Sequence, residues 1–297
     1  MKRNSFLFLT LTASIFSSAV FAQTNTLQQK LDSIVKSKKA DVGFSVLYLE
    51  DQKSVSVNGD KHYPMQSVYK FHLALAVLNQ VDQGKFKLDQ KILVKTTDLL
   101  PNTWSPLRDK YPSGNVELPL SEILKYTVSE SDNNGCDILF RLIGGTGKAQ
   151  QFIKKQGIKE ISITGTEEEM HKDDQVQFRN WTTPKAANEL LKKFWEGKVL
   201  QKTTGDFLMK IMEETVTGPG KIKGLLPQGT LVAHKTGHSG ANKEGLTTAS
   251  NDIGIVTLPN GKKMLISAFV SMSKEDDKEI DKIIAALSKA AFDEAVK

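Results

Sequence analysis

Three short runs of the chain carry residue types that can do nucleophilic chemistry. In the first, Y-P-M-Q-S-V-Y-K-F-H-L-A-L, Ser67 and Lys70 stand three positions apart at the front of an apolar stretch. That spacing on a helix puts both side chains on one face, where the lysine amine can reach the serine hydroxyl. A serine in a first helical turn also lies beside unpaired backbone N–H groups and the positive end of the helix dipole. A neighbouring base, plus donors for the oxyanion that forms, is what a weak nucleophile needs. The same S-x-x-K pattern recurs at Ser33/Lys36 and Ser271/Lys274, on segments that read as surface elements. The other two runs are Ser131-Asp132-Asn133, between two helical segments, and Lys235-Thr236-Gly237, the only K-[ST]-G in the chain.

Elements able to hold these runs are visible in the hydrophobic pattern. Leu27, Leu31, Ile34 and Val35 fall on one face of a helix over 25–38. Segments 42–50 and 53–59 read as strands joined by a turn at Asp51-Gln52. From Ser67 the period is helical, with Val68, Phe71, Leu75 and Leu78 on one side and Gly84 as the stop. Further helices are expected over 120–131, 133–144 and 183–197, the last with Thr183 as cap and Pro184 in the first helical position. After about residue 225 the period returns to two, at 230–237, 249–259 and 263–272, with a Pro259-Asn260-Gly261 turn joining the last two. An amphipathic helix over 276–294 follows. Strands at both ends with helices between predict an α/β fold. One antiparallel sheet, flanked by the terminal helices, comes from 23–65 and 211–297, and an all-α lobe comes from 66–210. A ligand site belongs in the cleft between them.

S-x-x-K, S-D-N and K-T-G in that order make the chain resemble the class A serine β-lactamases over essentially its whole mature length. The family's split β-lactamase/transpeptidase-like fold agrees with the element order read above. The run G-T-E-E-E-M-H-K-D-D fits the family's glutamate loop, with Glu167 as its first residue and Met170-His171 as its end. The resemblance implies hydrolysis of the β-lactam amide of penicillins and cephalosporins. Ser67 would form an acyl-enzyme, and the backbone N–H groups of Ser67 and His238 would hold the oxyanion. Lys70 would help deprotonate Ser67, with Glu167 as the other candidate base for acylation. Ser131 would pass a proton to the departing nitrogen, and Asn133 would bind the substrate's side-chain amide. Lys235 and Thr236, followed by Gly237, would take the carboxylate. Glu167 would activate the water that releases the acyl group.

Several positions depart from the family's common pattern. His171 replaces an asparagine beside the hydrolytic water, a hydrogen bond that one imidazole tautomer can supply. Gly165 and Asn180 replace a bridging arginine and aspartate, and Asp137 replaces an asparagine that ties the loop to the next helix. Together these resemble the PER-like branch of extended-spectrum enzymes, with a wide cavity and action on oxyimino-cephalosporins. The usual arginine on the strand after K-T-G is absent, and Lys221 is the candidate replacement cation. Trp104 matches the aromatic wall at the cleft mouth.

Composition bounds the remaining alternatives. Lys2 and Arg3, an apolar core too short to span a bilayer, and small residues at Val20 and Ala22 read as a secretory signal over 1–22. Export to the periplasm and a soluble mature protein are expected. The formal charge of +6 is spread along the chain, which argues against a nucleic-acid partner. Cys136 is the single cysteine and permits no internal disulfide. His234 and His238 lie four apart on a strand, ~13 Å between side chains, too far to share a metal. No metal or cofactor is expected, and a monomer is the expected state. A D,D-peptidase of the penicillin-binding type and a non-turnover β-lactam sensor share the three motifs. The fitted glutamate loop and the absence of an anchor favour the hydrolase.

Overall fold

The computed structural model describes residues 26–297, so the predicted signal at 1–22 lies outside the described residues. Ten helices are described: α1 Leu27–Lys36, α2 Tyr69–Asp82, α3 Pro106–Lys110, α4 Leu120–Ser129, α5 Asn133–Ile143, α6 Thr146–Lys155, α7 Glu167–Lys172, α8 Pro184–Trp195, α9 Lys202–Glu213 and α10 Asp277–Ala295. The main sheet contains β1 Asp41–Tyr48 and β2 Lys53–Val57 from the start of the chain. Its other strands, β8 Val232–His238, β9 Thr247–Thr257 and β10 Lys263–Ser273, come from the end. Its order is β2-β1-β10-β9-β8, antiparallel throughout. Two-residue strands β3 Tyr63–Pro64, β6 Ile161–Ser162 and β7 Trp181–Thr182 pair among themselves, and β4 Lys91–Val94 pairs with β5 Val116–Pro119.

The sheet is covered on both faces, which explains why β9 and β10 are buried almost end to end. On one face Leu31, Phe44, Val46, Ile266, Ile280, Ile284 and Phe292 join the sheet to α1 and α10 in one core cluster. On the other face Asn188 of α8 donates to Ser45 O and accepts from the Ser267 hydroxyl, tying helix to sheet. Thr183 caps α8 by accepting from Ala186 N–H, and Pro184 takes the first helical position, as expected.

A second core surrounds α2, and here the structure differs from the one-sided pattern read from Val68, Phe71, Leu75 and Leu78. Every residue from Tyr69 to Leu78 is buried, as befits the central helix of a lobe. Ser67 does not lie in its α-helical part. Gln66–Val68 form a 3₁₀ turn, and the α-helix begins at Tyr69.

Asp132 organises the approach to the site from the helical side. Fully buried, it caps α5 by accepting from Gly135 N–H at 2.7 Å. It also accepts from the Ser105 hydroxyl and from Leu107 N–H at 2.7 Å, which docks α3 against α5. We predict that Asp132→Ala, by leaving these donors unpaired, destabilises the fold by about 3 kcal/mol, at ~1–3 kcal/mol per buried orphan. Urea denaturation checks this, and an unchanged midpoint would mean that the carboxylate does not hold the two helices.

Candidate active site

The cleft is built around the 3₁₀ turn that carries Ser67. Gln66 there has φ +46°, an uncommon conformation that surrounding contacts must hold. Asn251 of β9 donates to Pro64 O and Met65 O, Asn180 O accepts from Met65 N–H, and Gln66 donates to Gln177 Oε1 at 2.6 Å. The turn is thus clamped between the sheet and the 165–180 loop. Gly237 of β8 packs against it so closely that a Cβ there would stand 2.4 Å from Met65 O and 3.1 Å from Ser67 N. Because β8 is an edge strand and Ser239 N–H donates inward to Ala249 O, ladder alternation turns the N–H of His238 outward, to the side on which the turn packs.

Lys70, fully buried, does not hydrogen-bond the Ser67 hydroxyl. It donates to Ser131 O at 2.7 Å and Asn133 Oδ1 at 2.5 Å, and lies 3.0 Å from Glu167 Oε1. The Glu167 contact is an ion pair without hydrogen-bond geometry. Ser131 has φ +59°, and its hydroxyl accepts from Lys235 Nζ at 2.9 Å. Lys235 is also fully buried, and burial together with the Lys70 charge pushes its pKa well below the usual lysine range. Thr236 meets the hydroxyl of Thr217 at 2.5 Å, a partner that nothing in the sequence pattern singled out. Asn133 donates to Thr103 Oγ1 at 2.7 Å.

Of the three adjacent glutamates, Glu167 is buried and lines the cleft. Glu168 pairs with Lys172 at 2.6 Å, and Glu169 completes a capping box with Thr166. The loop that presents them is closed without an ion pair at 165 and 180. The Asn180 amide accepts from Thr164 and Gly165 N–H and donates to Gly165 O. Asp137 accepts from Glu167 N–H at 2.9 Å and Glu168 N–H at 2.8 Å. Burial, then the Glu167 charge, raises its pKa to about 6.

The remaining expected residues all line the cleft, in different surroundings. Lys221 is buried, donates to the Ser250 hydroxyl and pairs with Asp281 Oδ1 at 3.3 Å, so it is no solvated loop lysine. Trp104 is 61 % exposed, donates from Nε1 to Glu130 O, and its carbonyl accepts from Asn133 N–H. His171 is exposed at the rim. The side chain of His238 lies 3.5 Å from Asp277 Oδ1, and burial followed by the Lys221 charge lowers its pKa. The cleft encloses about 860 Å³, and Phe178 and Met272 add exposed apolar surface to its wall.

A family model described as the β-lactamase enzyme family matches residues 26–295. β-Lactamase VEB-1 of Pseudomonas aeruginosa is 46% identical over 283 residues, 94% of each chain. The chain belongs to the class A β-lactamases. Extended-spectrum β-lactamase PER-1 of Pseudomonas aeruginosa is 45% identical over 95% of this chain and 91% of its own length, which fits the PER-like branch. The crystal structure of TLA-1 extended-spectrum β-lactamase matches with TM-score 0.90 and 57% identity, over 91% of this chain and 98% of the other. The antiparallel sheet with flanking helices is the β-lactamase fold.

Two outcomes follow for this β-lactamase. Gly237→Ala must drive β8 from the turn that carries Ser67, and we predict at least a tenfold loss of hydrolysis for about 1–3 kcal/mol of stability; parental rates would mean that the two can separate freely. Asp137 has a folded pKa of about 6, above the ordinary carboxyl value, so the folded state binds more protons than the unfolded one between the two values. Its stability should therefore fall as pH rises from about 4 to 6, by at most about 3 kcal/mol. Asp137→Asn should flatten that segment of the stability–pH curve, measured by denaturant titration at several pH values.

Proposed function

We infer that this β-lactamase opens penicillins and cephalosporins, oxyimino-cephalosporins included, through an acyl-enzyme on Ser67. The observation that carries the reading is that Ser67, Ser131 and Glu167 line one cleft while buried Lys70 and Lys235 both contact Ser131 from behind it, with Lys70 Nζ 3.0 Å from Glu167 Oε1. Ser67 Oγ attacks the lactam carbonyl carbon, and its proton leaves to the Lys70–Glu167 pair. The oxyanion forms against the N–H groups of Ser67 and His238, each such donor being worth ~3 kcal/mol of barrier elsewhere. As the C–N bond breaks, the Ser131 hydroxyl, in contact with Lys235, protonates the nitrogen and recovers a proton from the Lys70–Glu167 pair, which is left free to act again. Glu167 then takes a proton from water, whose oxygen attacks the ester carbonyl, and the pair returns that proton to the departing Ser67 Oγ; His171 stands at the rim on that side.

Lys235 and Thr236 bind the substrate carboxylate by charge-assisted contact, with Lys221 as the further cation nearby. Asn133 and Trp104 flank the acyl side chain. The width of the cleft supports bulky oxyimino groups, and the relatives PER-1 and TLA-1 carry the description extended-spectrum. Residues 1–22 would direct the protein to the periplasm, and among the described residues no helix is long and apolar enough to cross a membrane. Action as a monomer on small-molecule substrates completes the reading.

The test is turnover of a chromogenic cephalosporin followed by a panel spanning penicillins, oxyimino-cephalosporins and a carbapenem. Many turnovers per molecule are expected, whereas one stoichiometric burst would identify a sensor. Glu167→Ala should slow acyl release on the order of a thousandfold and leave a lasting adduct on Ser67 by mass spectrometry. Parental cycling by that variant, or an adduct elsewhere, would overturn the assignment.

A further inference from the structure

Strand β8, which carries Lys235 and Thr236, pairs with β9 on one side only. The segment after α9 runs along its other side and is not used by the proposed chemistry. The Thr215 hydroxyl donates to His234 O at 2.8 Å. Two residues further along both segments, the hydroxyls of Thr217 and Thr236 meet at 2.5 Å. Between these contacts Val216 N–H donates to Ser129 O at 3.1 Å, which ties the segment to the end of α4. Gly218 then turns the chain with φ +62°, so close to β8 that a Cβ there would stand 2.7 Å from Thr236 Cγ2. Thr217 is thus delivered to Thr236 by contacts on either side of it.

The direction of the hydroxyl–hydroxyl bond decides what Thr236 can do. A hydroxyl owns one proton and can accept two bonds, so the contact uses the proton of one threonine and leaves that of the other. Thr236 is buried, Thr217 is partly buried, and both line the cleft. A carboxylate has no proton and can only accept. Thr236 can therefore bond a carboxylate only with its own proton, and its oxygen is then the acceptor in the contact with Thr217. In the opposite direction Thr236 would turn a lone pair toward the anion. Accepting a bond also polarises a hydroxyl and makes it a stronger donor.

On the reading that Lys235 and Thr236 receive the substrate carboxylate, we propose that Thr217 is a positioning residue for that contact: its hydroxyl donates to Thr236 Oγ1, fixes that side chain and leaves its single proton for the carboxylate. Lys235 supplies the charge, and the threonine pair supplies the direction. The benefit belongs to substrates that present an anion. An ester in the same place is a neutral acceptor and gains less from a well-aimed donor.

Thr217→Val keeps the shape and removes the hydroxyl, whereas Thr217→Ser keeps the hydroxyl. Both are compared with the unaltered protein for kcat and KM on benzylpenicillin and on its methyl ester. Thr217→Val should raise KM for the acid about fivefold with kcat within about twofold, and should change the ester by less than about twofold. Thr217→Ser should restore the parental KM. An unchanged KM for the acid, an equal loss on acid and ester, or a loss that serine does not restore would overturn the proposal. Calorimetry on Ser67→Gly, which cannot form the acyl-enzyme, reads the binding of benzylpenicillin without turnover. Adding Thr217→Val there should raise Kd about fivefold; an unchanged Kd, or no binding at all, would overturn the proposal. Should the unaltered protein hydrolyse neither substrate, the proposed function fails, while the calorimetry still judges the hydroxyl pair.

Discussion

A buried ammonium is the constraint around which the helical side of the cleft is arranged. Lys70 has no access to water, and an unpaired charge so placed would be prohibitively costly. Its partners come from two separate parts of the chain: the carbonyl of Ser131 and the amide of Asn133 in one, and the carboxylate of Glu167 in the other. Each partner needs its own support. Asp132 caps the start of α5, next to the left-handed bend at Ser131, while Asp137 and Asn180 hold the loop that delivers Glu167. Satisfying one cation therefore fixes the relative placement of α2, α5 and the 165–180 loop.

The sheet side obeys a different rule, that of close backbone approach. Gly237 lets β8 lie against the Ser67 turn, and alternation along that edge strand aims the next N–H outward. A side chain at 237 would separate the strand from the Ser67 turn even with every other residue of the cleft in place. Polar clamps from Asn251 and Gln177 keep Gln66 in its uncommon backbone conformation from two directions.

Much of this was legible in the sequence because it is local. The periods of two and near four located the five long strands and the helices around S-D-N and Thr183-Pro184 to within a few residues. The ordered motifs named Ser67, Lys70, Ser131, Asn133 and Lys235 without any coordinates. Two-residue strands such as β3, β6 and β7 have no period to detect, and the α2 pattern read as one-sided although polar Lys70 and His72, with Leu73 and Val77, are buried on its other faces too. Partnerships across the chain were hidden for another reason. Nothing adjacent to Lys70 announces that it turns to Ser131 and Asn133 and not to the Ser67 hydroxyl. Likewise, Thr217 meets Thr236, and Lys221 is buried, only because the loop after α9 folds onto the sheet.

The closure of the glutamate loop by Asn180 has a consequence for how the protein responds to its medium. An amide that exchanges hydrogen bonds with the peptide groups of Thr164 and Gly165 joins no opposite charges. Counter-ions have nothing there to screen, and neither acid nor base titrates an amide in the range where proteins stay folded. That clasp should hold alike in dilute buffer and in brine, leaving the anchor at Asp137 as the part of the loop that senses acidity.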